Sequence, residues 1–275
     1  VAALPPFAQA RAEFLAGDDT PRAYLERCIA NIEASEPTIQ AFAHLDLAAA
    51  RAAADASTRR YQAGQPLSPI DGMPIGVKDI IDTENMPTQM NNAYFAGHQP
   101  RADAACVRAV REGGGVLVGK TVTTEFAIGR SGPTVNPHDT GHTPGGSSSG
   151  SAAGAAAGMF VAGFGTQTQG SIIRPASFNG MVGYKPTLNT LSTDGIHPLS
   201  RSHDHLGAIG QSVDSVWTLC RWVGERAPSQ DSDGLGGPVS GALAPLQPSR
   251  LAVLRTQGFE ELDPGAATAF ESLLD

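Results

Sequence analysis

The segment from Thr143 to Thr187 constrains this chain more than any other part of it. It reads TPGGSSSGSAAGAAAGMFVAGFGTQTQGSIIRPASFNGMVGYKPT. Its centre is an Ala- and Gly-rich run of helical length, and so little side-chain bulk lets neighbouring backbone come close. Two serine-bearing glycine loops bracket that run. The first is Gly145-Gly146-Ser147-Ser148-Ser149-Gly150 and the second is Thr168-Gln169-Gly170-Ser171. Glycine loops allow several backbone N–H groups to converge on one point, which makes an anion or oxyanion site. A serine in such a loop is a candidate nucleophile, but its hydroxyl needs a base. Lys78, in Pro74-Ile75-Gly76-Val77-Lys78-Asp79, is a base candidate far upstream.

Four elements occur in order: Gly76–Asp79 (GVKD), Gly119–Ala127 (GKT-x-x-x-EFA), the Ser147 loop, and Ser171-Ile172-Ile173-Arg174-Pro175 followed by Gly183-Tyr184-Lys185-Pro186-Thr187. Ser171 follows Ser147 by 24 positions (171 − 147). In this combination the chain resembles the amidase signature family, whose catalytic group is Ser–cis-Ser–Lys. The resemblance runs from about Asp71 to Asp214. Residues 79–83, Asn136-Pro137-His138 and the GTQT sequence before Ser171 are most similar to the malonamidase-type branch.

The resemblance implies a three-layer α/β fold, a central mixed sheet covered by helices. It implies one amidase signature domain over residues 1–275, with a helical segment at 1–62 and a catalytic core at 71–275. The family core is longer than 275 residues, so the chain is expected to lack its C-terminal part. The implied chemistry is cleavage of a small carboxamide to carboxylate and ammonia through an acyl-enzyme. Ser171 would be the nucleophile. Ser147, in a cis peptide after Gly146, would bridge to Lys78 as base. Backbone N–H groups of Thr168, Gln169, Gly170 and Ser171 would hold the oxyanion. No metal or organic cofactor is implied. Arg174 stands one position later than the arginine of many members, as in the malonamidase-type branch. It would bind the free carboxylate of a half-amide such as malonamate, because guanidinium pairs with carboxylate bidentately.

Plainer readings of the same residues exist. Ser171 can be a loop serine, and Ser147 can cap the Ala-rich helix, a task open also to Ser148 or Ser149. Lys78 can be a surface lysine paired with Asp79. Its apolar flank, Ile75, Val77, Ile80 and Ile81, favours burial instead. Burial is what a lysine base needs, because desolvation lowers its pKa towards neutrality. Arg174 can bridge to an acid or cap backbone carbonyls. Gln167 stands where many members have Asp, and Gln169 where Gly is usual. A positive φ at Gln169 would strain it.

Other functions compete. Gly146-Ser147-Ser148-Ser149-Gly150 also fits G-x-S-x-G, the nucleophile elbow of α/β-hydrolases, with Ser148 as nucleophile. Asp194, Asp204, His197, His203 and His205 lie downstream of it. His203-x-His205 alone is a weak metal pattern, and Gly119-Lys120-Thr121 lacks the glycine of a phosphate-binding loop. A glutamyl-tRNA amidotransferase A-like subunit, delivering ammonia to a partner, is the alternative within the family. An inactive relative is a third class, against which the intact Lys78, Ser147 and Ser171 argue.

Composition narrows the partners. The net charge of −8 disfavours nucleic acid and anionic membrane. No apolar run is long enough to span a bilayer. Cys28, Cys106 and Cys220 are too far apart for a disulfide framework or zinc site. Without a basic and then apolar leader, the expected compartment is the cytoplasm, with a small amide as partner and room for a homodimer.

The elements follow from pattern. Helices are expected over the first 62 residues, one capped by Thr20 and one by Asp46. Strands are expected at Ile75–Val77, Val116–Val118, Phe160–Gly165 and Leu251–Leu254. Further helices should run from Asp103 to Arg111, over Ser149–Gly158, from Ser212 with Val213, Val216, Trp217, Cys220 and Val223 inward, and from Asp263-Pro264.

Overall fold

The computed structural model describes residues 4–229, 235, 250 and 252–274. They fall into two compact units, residues 1–242 and 243–275. The first carries a six-stranded mixed sheet in the order β1-β3-β2-β4-β6-β5. Its elements are α1 (Phe7–Ala16), α2 (Pro21–Ile39), β1 (Phe42–Leu45), α3 (Leu47–Gln62), β2 (Pro74–Lys78), α4 (Ala105–Glu112), β3 (Val116–Thr121), α5 (Ser149–Ala156), β4 (Ala162–Gln167), α6 (Ile173–Phe178), β5 (Val182–Tyr184), β6 (His205–Gly210) and α7 (Val213–Arg226). Among the described residues, no helix is long and apolar enough to cross a membrane.

Strand β2 pairs in parallel with both β3 and β4, and β4 pairs antiparallel with β6. Side chains alternate across β2 and β3 as a pleated strand requires. Ile75, Val77 and Leu117 join a core with Val107 and Val110 of α4 and Leu219 and Val223 of α7. Val116 and Val118 join a second core with Leu25, Ile29, Ala50 and Ala153. Helices thus cover both faces, which makes the fold the expected three-layer α/β arrangement.

The small residues of α5 serve a close approach. A Cβ at Gly150 would collide with the Ala41 carbonyl oxygen and the Val122 nitrogen. A Cβ at Gly76 would meet Thr121 Cγ2 at 2.8 Å and the Phe160 ring at 2.9 Å. Helix α5 therefore starts against the backbone just before β1 and just after β3.

Three helices of this unit start at the caps expected of them. Thr20 accepts from Ala23 N, Asp46 from Ala49 N and Ser212 from Ser215 N. Four expectations need correction. The first 62 residues are not all helical, since β1 inserts between α2 and α3 and pairs antiparallel with β3. Four residues with one polar interruption are too short for a periodic signal. Asp103 does not cap α4, because its carboxylate is taken by Arg111 Nε at 2.7 Å and Glu84 N at 2.8 Å. Val213 is exposed at the first turn of α7, whereas Trp222 is buried and donates to the Ala109 carbonyl at 2.7 Å.

The fourth correction lies in the second unit. Leu251 is outside the described residues, and residues 252–254 are exposed and irregular rather than a strand. There the Asp263 side chain caps α9 (Pro264–Ser272) through Gly265 N, after a short α8 (Gln257–Glu260).

Candidate active site

Lys78 is the last residue of β2, at the carboxyl end of the parallel strands, and it is fully buried. Its ammonium nitrogen lies 2.7 Å from Ser147 Oγ and 2.8 Å from Thr166 Oγ1, with the Thr166 carbonyl at 3.5 Å. Burial pushes the Lys78 amine down to about 7, an effect that the negative charge of Asp204 opposes. The surface pairing of Lys78 with Asp79 does not occur. Asp79 faces Lys120 of β3 instead, with Nζ at 3.3 Å from the carboxylate. That pair is itself buried, so desolvation raises the Asp79 pKa and lowers that of Lys120.

Ser147 is 3% exposed and follows a cis peptide bond with Gly146. It does not cap α5; Ser148 occupies the N-cap position, without a side-chain cap bond. The Ser147 carbonyl accepts from Thr124 N at 3.1 Å. The Gly146 carbonyl accepts from Arg174 Nε at 3.1 Å and Nη2 at 2.8 Å. Arg174 is therefore anchored on a backbone carbonyl while its exposed side chain also lines the cavity described below. Guanidinium has five N–H donors, so donors remain for a ligand.

Ser171 follows β4 at the mouth of the next loop and is partly buried. Its carbonyl accepts from Ser148 N at 3.3 Å, which ties the two serine loops together. Among the described residues the Ser171 hydroxyl makes no hydrogen bond. The Ser171 loop is held from both sides. Gln167 Oε1 accepts from Ile172 N at 2.9 Å and Ile173 N at 3.0 Å, orphan donors at the start of α6. The Thr168 hydroxyl donates to Asp204 Oδ1 at 2.6 Å. Gln169 is exposed and is not among the positive-φ residues, so the strain considered for it does not arise.

Ser147, Thr168, Gln169, Gly170, Ser171 and Arg174 together line one open cavity of about 840 Å³. Ser147 and Ser171, far apart in sequence, thus line the same cavity, and Lys78 lies buried behind Ser147. Ser148 does not line it. That hydroxyl is fully buried and faces the Thr166 carbonyl at 3.4 Å. None of the downstream histidines hydrogen-bonds Ser148. His203 Nδ1 lies by Ser202 Oγ at 2.8 Å, and His205 Nδ1 by the His203 carbonyl at 2.7 Å. The elbow arrangement is absent among the described residues.

Two residues beside the site are not evident from the sequence. Thr166 gives Lys78 its second polar partner, and Asp204 fixes Thr168. Thr166 sits inside the GTQT run and was within reach. Asp204 enters the sequence reading only as a member of the rival triad, because nothing local in Ser202-His203-Asp204-His205 indicates that β6 pairs with β4.

The chain matches the family model described as Amidase over residues 23–275. It is 37% identical over 278 residues to the A subunit of the glutamyl-tRNA(Gln) amidotransferase of Chloroflexus aurantiacus, covering 97% of this chain and 56% of that protein. Against the corresponding protein of Salinispora arenicola identity is 38%, with the same coverage of both chains. The crystal structure of the native peptide amidase of Stenotrophomonas maltophilia superposes with TM-score 0.78 at 32% identity, over 86% of this chain and 52% of that one. The chain spans about half the length of the curated relatives it matches.

Proposed function

On the premise that the chain belongs to the amidase family, we propose that its protein cleaves a small carboxamide by acyl transfer to Ser171. One observation carries this reading: a fully buried lysine, its pKa pushed down to about 7, is 2.7 Å from Ser147 Oγ beside the Ser171 loop. A lysine that titrates near neutrality can accept a proton at working pH, where an ordinary one cannot.

The steps follow. Neutral Lys78 draws the proton of Ser147, and Ser147 takes that of Ser171 as its oxygen attacks the amide carbon. Backbone N–H groups of residues 168–171 receive the developing oxyanion, where loss of a single donor typically costs about 10²–10³ in rate. The proton then passes back through Ser147 to the departing nitrogen. Water repeats the sequence on the acyl-Ser171 ester, releasing carboxylate.

The finer assignment concerns the acyl group. Arg174 supports a substrate with a free carboxylate, such as malonamate, because its guanidinium edges the cavity with donors to spare. A second reading has its own support: the two glutamyl-tRNA(Gln) amidotransferase relatives match 97% of this chain. On it, the same centre releases ammonia for use within a complex. Ammonia release from a panel of small amides, including malonamate, by the partner-free protein separates the two. Turnover without partners supports the hydrolase. Ammonia release that appears only with partner proteins supports the amidotransferase. No Ser171-dependent release under either condition would overturn both.

A further inference from the structure

Asp204 immediately precedes β6, whose first residue His205 pairs with Gln167 at the end of β4. That register sets Asp204 across from Thr168, the first residue of the Ser171 loop. Its carboxylate accepts three hydrogen bonds: from Thr168 Oγ1 at 2.6 Å, and from Leu199 N and Ser200 N at 2.8 Å each. It also lines a small chamber of about 20 Å³ with Ser147, Thr166, Thr168 and Ser171, beneath the open cavity. One carboxylate therefore touches the loop that carries the nucleophile and the loop that walls the cavity at Leu199 and Ser200.

We infer that Asp204 is a positioning residue of this centre: it clamps Thr168, and with it the 168–171 backbone, and it sets a carboxylate in the chamber walled by Ser147 and Thr166, the two side-chain partners of Lys78. The inference rests on the reading of Lys78 as the base.

The geometry gives each half its reason. The Thr168 hydroxyl has Asp204 as its acceptor, and a charge-assisted O–H···O⁻ bond is short and strong. The second half follows from what surrounds Lys78. On its own strand Asp79 is committed to Lys120 of β3. From the loop before α5 comes Ser147, and from β4 comes Thr166, both uncharged. Arg174 stands on the open-cavity side. From the 193–205 segment come His197, His205 and Asp204, which share the small chamber. Asp204 is the charge that acts on Lys78 against its desolvation. Desolvation alone would leave a lysine that is neutral but a poor proton acceptor. A nearby carboxylate restores part of its affinity for the proton and supports the ammonium that forms during attack.

The test compares the pH profiles of kcat/KM for the intact protein and for Asp204→Asn, Thr168→Val and Thr168→Ser. Asp204→Asn removes the charge, so Lys78 should lose its proton at lower pH. The acid limb should move down by about one pH unit, with a lower plateau. Thr168→Val removes the clamp and keeps the charge, so the plateau should fall at least tenfold with the acid limb in place. Thr168→Ser, which restores the hydroxyl, should recover most of the rate. An unmoved acid limb in a folded Asp204→Asn protein overturns the electrostatic half. A wild-type plateau in Thr168→Val overturns the clamp, and does so even if Asp204→Asn fails to fold. Should Lys78→Met retain activity, the reading of the base itself has failed, which is a different result from either of these.

Discussion

Replacing Lys78 by Met should remove a pH dependence from the stability of the protein and leave it inactive at every pH. The Lys78 pKa is pushed from 10.5 to about 7 by complete burial. Unfolding returns the amine to water and to its ordinary pKa. Above pH 10.5 it is neutral in both states, and no penalty exists. As pH falls from 10.5 to about 7, only the unfolded chain takes up the proton, so the folded state loses about 1.4 kcal/mol per pH unit. Below about pH 7 the loss is complete, about 5 kcal/mol for a difference of 3.5 (10.5 − 7). Between pH 9 and pH 6 the penalty grows from about 2 to about 5 kcal/mol, so the wild type should lose about 3 kcal/mol over that window relative to Lys78→Met. The methionine leaves Ser147 Oγ and Thr166 Oγ1 without their partner, at about 1–3 kcal/mol each. That cost does not depend on pH and cancels from the comparison. Urea unfolding of both proteins at pH 6 and pH 9 measures the difference directly. A stability gap that is the same at both pH values would refute a buried lysine of lowered pKa, and with it the reason for taking Lys78 as the base.

Ser171→Ala should abolish both turnover and the covalent adduct that a slow amide or hydroxamate leaves on the protein, whereas Ser148→Ala should keep both; mass spectrometry of the trapped peptide decides between them. Gln167→Leu should lower stability by about 1–3 kcal/mol through the orphaned Ile172 and Ile173 N–H groups, read as a lower denaturation midpoint, and should slow turnover because Ser171 directly precedes those groups. Arg174→Ala should raise KM for a carboxylated amide by about 2 kcal/mol, or some 30-fold, with neutral amides spared. Equal losses for both substrates would assign Arg174 to the Gly146 carbonyl alone.

The layers of the fold and the pairing of Lys78 with Ser147 were legible because they rest on close-range features. Gly76 and Gly150 admit close contacts that no larger residue permits, and Ile75 with Val77 marks the face of β2 that packs on α4 and α7. What sequence reading lost depends on distant pairing. Strand β1 exists only because β3 offers it an edge, and β6 is recognisable only opposite β4. Asp204 therefore entered only as a candidate partner in the rival elbow reading. Asp103 carried a cap's residue type, yet Arg111 and Glu84 compete for its oxygens more effectively than a helix end does. Gln169 looked strained because a glycine is usual there, but its backbone stays within the ordinary region.

The buried pair of Asp79 and Lys120 bears on how such a chain can change over generations. Asp79 also accepts from Gln89 N and Met90 N, and Lys120 donates to Thr88 Oγ1 at 2.6 Å and the Pro87 carbonyl at 3.1 Å. Two adjacent strands and the 87–90 turn are thus knotted at one point, next door to Lys78. Loss of either charge strands the other in a dry interior, commonly a matter of about 3–5 kcal/mol, while exchange of both for apolar residues can be close to neutral. The two positions therefore form a single heritable character. Drift at one is barred unless the other moves with it, and the segment carrying the base is shielded from gradual change by a bond in which the base takes no part.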